Sequence, residues 1–187
     1  AVNYDPLIKL TPAGFNGSLD HAKWSNEGTL GGAFVAELQN PALVSKSGAA
    51  AVEFKSGMSD WLVGPRVQAW MNGSGNRTVV AWVYNPVVSS SEDDVILSWG
   101  AHLPTRNHLF SCRYGANTTK GAFSHSGDES LDFGWGSAQP VGGTWSFVVF
   151  RYDGSNGTLL AFRDFEKGVS QRNISLQTGA FDSSSRP

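Results

Sequence analysis

Two carboxylates that share one strand face could carry out acid–base chemistry. Retaining glycoside hydrolysis needs such a pair about 5–5.5 Å apart. Asp164 and Glu166 would share a strand face, but the Lys167-Gly168 step that follows them is typical of a solvated rim. None of the six glutamates opens an alternating carboxylate motif. We therefore predict no catalytic residue and a non-enzymatic protein.

Histidine and cysteine offer no alternative chemistry. The four histidines (His21, His102, His108 and His125) lack the paired spacing of a metal site. Cys112 is the single cysteine, so no intrachain disulfide can form. No neighbouring base would activate its thiol. We expect a buried thiol that shares one strand face with Phe110 and Tyr114.

Carbohydrate binding needs an exposed aromatic ring beside planar polar groups. Residues 124–140 offer this mixture, with His125, Asp128, Asp132 and Trp135 among flexible glycines. They are the first candidate ligand-binding residues. Two further candidates are Trp61, and Arg106 next to Asn107.

Loops rich in carboxylates make Ca²⁺ the candidate metal. Ca²⁺ takes six to eight oxygen ligands. The densest carboxylate loops are residues 92–94, which include Asp93 and Asp94, and residues 128–132. Neither has EF-hand spacing, so Asp93 and Asp94 are candidate ligands for an optional Ca²⁺, and a solvated loop is the alternative.

N-glycosylation sequons are frequent in this chain. Six of the eleven asparagines begin an N-x-S/T sequence, more than the Ser and Thr content predicts by chance. We predict a secreted or cell-surface glycoprotein; the alternative is that Gly- and Ser-rich turns produce such triplets without function. The sequons begin at Asn16, Asn72, Asn76, Asn117, Asn156 and Asn173.

Length and composition favour one all-β domain. The chain has 187 residues, 40% of them hydrophobic, with seven Trp and eleven Phe. This is enough for a substantial core and excludes a disordered chain. The net charge of -2 argues against nucleic-acid partners. No apolar run is long enough to span a bilayer.

Short β-branched and aromatic runs predict the strands that must position these residues. Residues 78–84 have apolar side chains on both faces, which predicts a central strand covered on two sides. Residues 153–157 predict a hairpin turn between two strands. Residues 19–25 and 41–44 are the candidates for single helical turns. The expected strands span residues 51–55, 78–84, 95–99, 109–114, 145–152 and 158–165.

Several of these segments, in this order, resemble one family. They include the W-x-N-x-G-x-x-G-G-x-F pattern within residues 17–34, TVVAWVYNP (78–86) and GGTWSFVVFRYDG (142–154). Together they are similar to the LamG-like (laminin G-like) branch of the concanavalin A-like lectin/glucanase superfamily, over roughly residues 14–180. The resemblance implies a single domain over residues 1–187, an antiparallel jelly-roll β-sandwich of two curved sheets. It also implies glycan or protein binding, often with one Ca²⁺ at a sheet rim.

The chain departs from the family pattern in two places. Asp164 matches a family Asp only loosely, because Phe165 follows where the family has Gly. The closing strand that the family places beside its first strand is absent before Pro187. We therefore expect a module of a longer polypeptide, or a sandwich whose edge is completed by another chain or segment.

The functional prediction is a non-enzymatic extracellular module that recognises glycan or protein. The first alternative is a structural assembly block completed by a neighbouring chain or segment. A polysaccharide-active enzyme is the remaining alternative.

Overall fold

The computed structural model describes residues 6–18, 21–55, 60–65, 75–90, 94–99, 110–125, 132–164 and 166–171. Strands are the main regular structure of the described residues, which contain no α-helix. The all-β prediction is therefore confirmed. The chain divides into two compact units, Ala1–Arg66 and Val67–Pro187. A single domain over residues 1–187 stays a prediction.

The N-terminal unit contains a four-stranded antiparallel sheet and a separate hairpin. The sheet order is β1-β2-β3-β6, and the hairpin pairs β4 with β5. Ser47 and Gly48 connect the hairpin with φ angles of 50° and 81°, as a two-residue turn with left-handed central residues requires. The elements are a 3-10 turn (Pro12–Gly14), β1 (Phe15–Asn16), β2 (Lys23–Ser25), β3 (Ala33–Ala36), β4 (Ala42–Lys46), β5 (Ala49–Glu53) and β6 (Leu62–Val63).

Buried side chains and one asparagine hold this unit together. Phe15, Ala22 and Ala36 form a small core against Trp24 and Leu62. Asn26 Oδ1 accepts hydrogen bonds from the backbone of Lys9 (2.8 Å) and Gly28 (2.9 Å), which fixes the segment before β1. The prediction of helical turns at residues 19–25 and 41–44 is wrong for the described residues, 21–25 and 41–44. Lys23–Ser25 and Ala42–Lys46 are strands, because each finds an antiparallel partner.

The C-terminal unit contains two antiparallel sheets. One has the strand order β13-β12-β11-β7 and the other β10-β9-β8. The turn predicted between residues 153 and 157 is confirmed, since Asp153 pairs with Thr158 across the β11–β12 hairpin. The strands are β7 (Arg77–Tyr84), β8 (Val95–Trp99), β9 (Phe110–Arg113), β10 (Phe123–His125), β11 (Trp145–Asp153), β12 (Thr158–Arg163) and β13 (Glu166–Gln171).

The two sheets of the C-terminal unit share one apolar core. Side chains of β9 and β10 lie in the same buried cluster as side chains of β11 and β12. Phe110, Cys112 and Tyr114 are all buried in this cluster, which confirms the buried thiol predicted for Cys112. This arrangement is compatible with a β-sandwich. The largest fully buried side chains are Trp135, Tyr114, Tyr152, Phe110, Phe123 and Phe150.

Candidate functional site

Trp135, the aromatic ring predicted to stack on a sugar, lies in the core. Its exposed fraction is 0%. Its indole Nε1 donates to the carbonyl oxygen of Gly121 at 3.0 Å. The rings of Tyr114 and Phe150 contact it edge to face, with centroids 5.8 and 5.6 Å away. A buried ring cannot stack on a ligand, so the structure corrects the role assigned to Trp135.

Among the other candidates from residues 124–140, the structure describes Asp132 and the backbone of His125. Asp132 is half-buried next to Phe133, which forms a β-bridge with Phe123. His125 ends β10, where its backbone pairs with Phe110. Asp128 and the further candidate Arg106 lie outside the described residues. Trp61 is 40% exposed and precedes β6 of the N-terminal unit.

The described part of the chain contains no cluster of side chains that fits the predicted calcium site. Groups of three or more His, Cys, Asp or Glu side chains that could hold a metal do not occur there. Asp94 Oδ2 accepts a hydrogen bond from the Asn85 amide at 2.8 Å, and the Asp94 carbonyl accepts from Tyr114 N at 2.8 Å. These bonds give Asp94 a structural role. Asp93 lies outside the described residues.

A partly exposed aromatic surface instead covers the outer side of β7 and β11. Val79, Ala81 and Val83 contact the core. Because side chains alternate along a strand, the intervening residues of β7 face the other way. Trp82 is 66% exposed and Val80 is 55% exposed. We call the following six side chains the aromatic face: Val80, Trp82, Tyr84, Trp145, Phe147 and Val149.

Strand register arranges the aromatic face in three cross-strand rows. Tyr84 pairs with Trp145, Trp82 with Phe147, and Val80 with Val149. The ring centroids are 5.5 Å apart in the first row and 5.3 Å apart in the second. Rows two residues apart are separated by about 7 Å, so the face is about 14 Å long. Ring pairs at these distances stabilise each other and fix the orientation of the rings.

A hydrogen-bond chain connects this face to the core. The Tyr114 hydroxyl donates to Ser146 Oγ at 2.7 Å, and Ser146 Oγ donates to Asp164 Oδ2 at 3.1 Å. Asp164 Oδ1 accepts from the backbone N–H of Phe147 at 2.8 Å. Asp164 lies in a turn after β12 with a φ of 48°, so it is not the strand residue that the sequence predicted.

The chemistry available on the aromatic face is contact rather than reaction. Its six side chains carry one titratable group, the phenol of Tyr84, and no carboxylate, imidazole or thiol. The flat rings can cover an apolar surface, and the indole N–H and phenol can donate hydrogen bonds. Sequence reasoning missed this surface because both faces of residues 78–84 are apolar. That pattern predicted a strand covered on two sides, and the exposure of Trp82 corrects it.

Four of the six predicted glycosylation sites fall on described residues. Asn16, Asn76 and Asn156 are exposed, and Asn117 is half-buried. Asn117 Oδ1 accepts from Thr119 N at 2.9 Å and Thr119 Oγ1 at 2.8 Å. Asn72 and Asn173 lie outside the described residues.

Comparisons with known proteins assign no family. The chain matches no protein-family model, no curated protein and no solved structure. Within the described residues, no helix has the length and apolar character needed to cross a bilayer.

Proposed function

We propose that this chain is a non-enzymatic extracellular recognition module that binds glycan on its aromatic face. The observation that carries the proposal is the 66% exposure of Trp82 on an ordered sheet. Leaving a large indole in water forgoes the stabilisation that burial would give. Contiguous exposed apolar surface on a folded protein is typical of a binding site.

The shape and chemistry of the face favour a carbohydrate. A pyranose ring presents an apolar C–H surface and equatorial hydroxyls, and exposed indole rings provide a complementary flat contact. The paired rings of Tyr84 and Trp145 extend the flat contact to one end of the face. Three rows of side chains suit an extended oligosaccharide better than a single sugar.

We extend the proposal to the fold. The two sheets over a common core, together with the sequence segments given above, support a LamG-like jelly roll of the concanavalin A-like superfamily. The proposal requires no Ca²⁺, because the aromatic face holds no carboxylate.

A second candidate function is an assembly block completed by another chain or segment. The observation that favours it is the outer edge of β7, which pairs with no strand among the described residues. An unpaired edge can accept an added strand through its backbone groups. Enzymatic turnover is the least supported function, because hydrogen bonds from Ser146 and Phe147 already occupy the Asp164 carboxylate.

A glycan-binding screen with two matched tryptophan variants tests the proposal. Trp82→Ala should weaken binding of the best glycan by about tenfold or more, as loss of a central aromatic contact does. Trp61→Ala is the matched control, since Trp61 is also exposed but lies in the N-terminal unit. Binding that survives Trp82→Ala unchanged would overturn the proposal. Failure to bind any glycan, with self-association instead, would favour the assembly block.

A further inference from the structure

Two sequons that are far apart in the sequence meet at one end of the β7–β11–β12 sheet. Asn76 immediately precedes β7, and Asn156 lies in the turn between β11 and β12. The side-chain Oδ1 of Asn76 accepts a hydrogen bond from the backbone N–H of Gly154 at 2.8 Å. Gly154 is in the same turn as Asn156. The fold therefore places Asn76 against the turn that contains Asn156.

The half-buried middle residue, Arg77, turns the first sequon outward. The guanidinium of Arg77 lies 5.1–5.8 Å from the ring centroids of Trp99, Phe110 and Tyr152. Arg77 therefore anchors the middle of the sequon in the apolar core. Asn76 and Thr78, on either side of it, are both exposed. The asparagine and hydroxyl residue that define the sequon are thus presented together to solvent.

The second sequon is held in an Asx turn. Asn156 Oδ1 accepts from the backbone N–H of Thr158 at 3.0 Å. Asn156 Nδ2 donates to Asp153 Oδ2 at 3.3 Å. Gly157 occupies the middle position with a φ of 63°, where its lack of a Cβ avoids strain. Asn156 itself is exposed.

We propose that Asn76 and Asn156 are a paired N-glycosylation site, so that two glycans extend from the same end of the sheet. In the modification, Asn Nδ2 forms a bond to C1 of an oligosaccharide carried on a lipid diphosphate. The bond between C1 and the diphosphate oxygen breaks, the lipid diphosphate leaves with the electron pair, and the amide loses one proton. The co-reactant is thus a lipid-diphosphate-linked oligosaccharide.

Attachment of a glycan to Asn76 or Asn156 preserves the hydrogen bonds that hold these two side chains. Asn76 uses only its oxygen toward Gly154, so its nitrogen is available for the sugar. A glycosylated Asn156 nitrogen retains one N–H, which can still donate to Asp153. The paired glycans would lie near Thr78, about 14 Å from Trp82 along β7. They would leave the end of the aromatic face at Tyr84 and Trp145 accessible. The pairing does not depend on what the aromatic face binds.

Variants of the hydroxyl residues test the pair without removing either asparagine. The full chain is secreted from a eukaryotic cell line, and its intact mass is measured. Thr78→Val and Thr158→Val should each remove the mass of one glycan, and the double variant should remove two. Thr78→Ser and Thr158→Ser keep the sequons and should keep both glycans. No mass change in either Val variant, or a change in only one, would overturn the pair.

Site mapping keeps the test decisive if a Val variant fails to fold. Protein purified from its natural source is treated with peptide N-glycosidase in H₂¹⁸O, which converts each glycosylated Asn to labelled Asp. Label at both Asn76 and Asn156 supports the proposal. Unlabelled asparagine at either position overturns it.

Discussion

Trp82 and Phe147 lie directly opposite each other on β7 and β11, with ring centroids 5.3 Å apart and planes inclined by 56°. The contact fixes the indole on a sheet whose other side is the apolar core. Trp82 nevertheless remains 66% exposed. The protein thus presents an aromatic ring to solvent in a defined orientation, which is what a binding surface needs and what a core does not.

The two tryptophans Trp82 and Trp135 should differ sharply in their contribution to stability. We expect Trp135→Ala to lower the free energy of unfolding by about 3–5 kcal/mol, because it empties a fully buried site. Trp82→Ala should cost only about 0.5–1.5 kcal/mol, the value of one aromatic pair. Urea denaturation followed by circular dichroism measures both. Equal losses in the two variants would contradict the burial assigned to them.

The buried hydrogen bond between Tyr114 and Ser146 should be measurable by a double-mutant cycle. Both side chains are 1% exposed, and their oxygens are 2.7 Å apart. Tyr114→Phe should cost about 1–2 kcal/mol, because Ser146 loses its donor inside the core. Tyr114→Phe should cost less in a Ser146→Ala background. Additive losses would show that the two groups do not interact.

Cys112 should be unreactive in the folded protein. It should also make the free energy of unfolding decrease at alkaline pH. Burial raises the pKa of the Cys112 thiol well above its ordinary value, and the nearby Arg77 charge acts in the opposite direction. The unfolded thiol ionises near pH 8.5. Above that pH the unfolded state has released a proton that the folded state keeps. The stabilising contribution is therefore complete below about pH 8 and decreases as the pH rises toward the folded pKa.

Thiol labelling and a pH series check this prediction. A maleimide or disulfide reagent should label Cys112 in denaturant but not in native buffer at pH 7.5. Between pH 7.5 and 9.5, the wild type should lose more unfolding free energy than Cys112→Ala, in which the titrating group is gone. Rapid native labelling, or identical pH profiles of the two proteins, would count against the buried thiol.

Strand positions could be predicted from the sequence because β-branched and aromatic runs determine them locally. β7 and β8 lie within one residue of their predicted bounds, and β11 extends one residue further. Ala42–Lys46 was missed because five residues are too few for periodicity to distinguish a helical turn from a strand. Its pairing with β5 determines its conformation.

The site could not be predicted in the same way, because burial is decided by partners far along the chain. Trp135 follows flexible glycines and looks exposed, yet Tyr114, Phe150 and the Gly121 carbonyl enclose it. Trp82 sits in a strongly apolar strand and looks buried, yet its side chain is 66% exposed. Both errors concern which face of an element is covered, a tertiary property that periodicity does not encode.

The central claim, that ligand binds on the aromatic face, is tested most directly by an NMR titration of the tryptophan indole N–H resonances. The uniformly ¹⁵N-labelled chain is titrated with the best glycan from the binding screen, and the resonances are assigned with single Trp→Phe variants. The indole resonance of Trp82 should shift in a saturable manner, with Trp145 following it. The resonance of Trp135, whose N–H is bonded to Gly121 inside the core, should stay in place. A saturable shift of Trp135 while Trp82 remains unmoved would contradict the account.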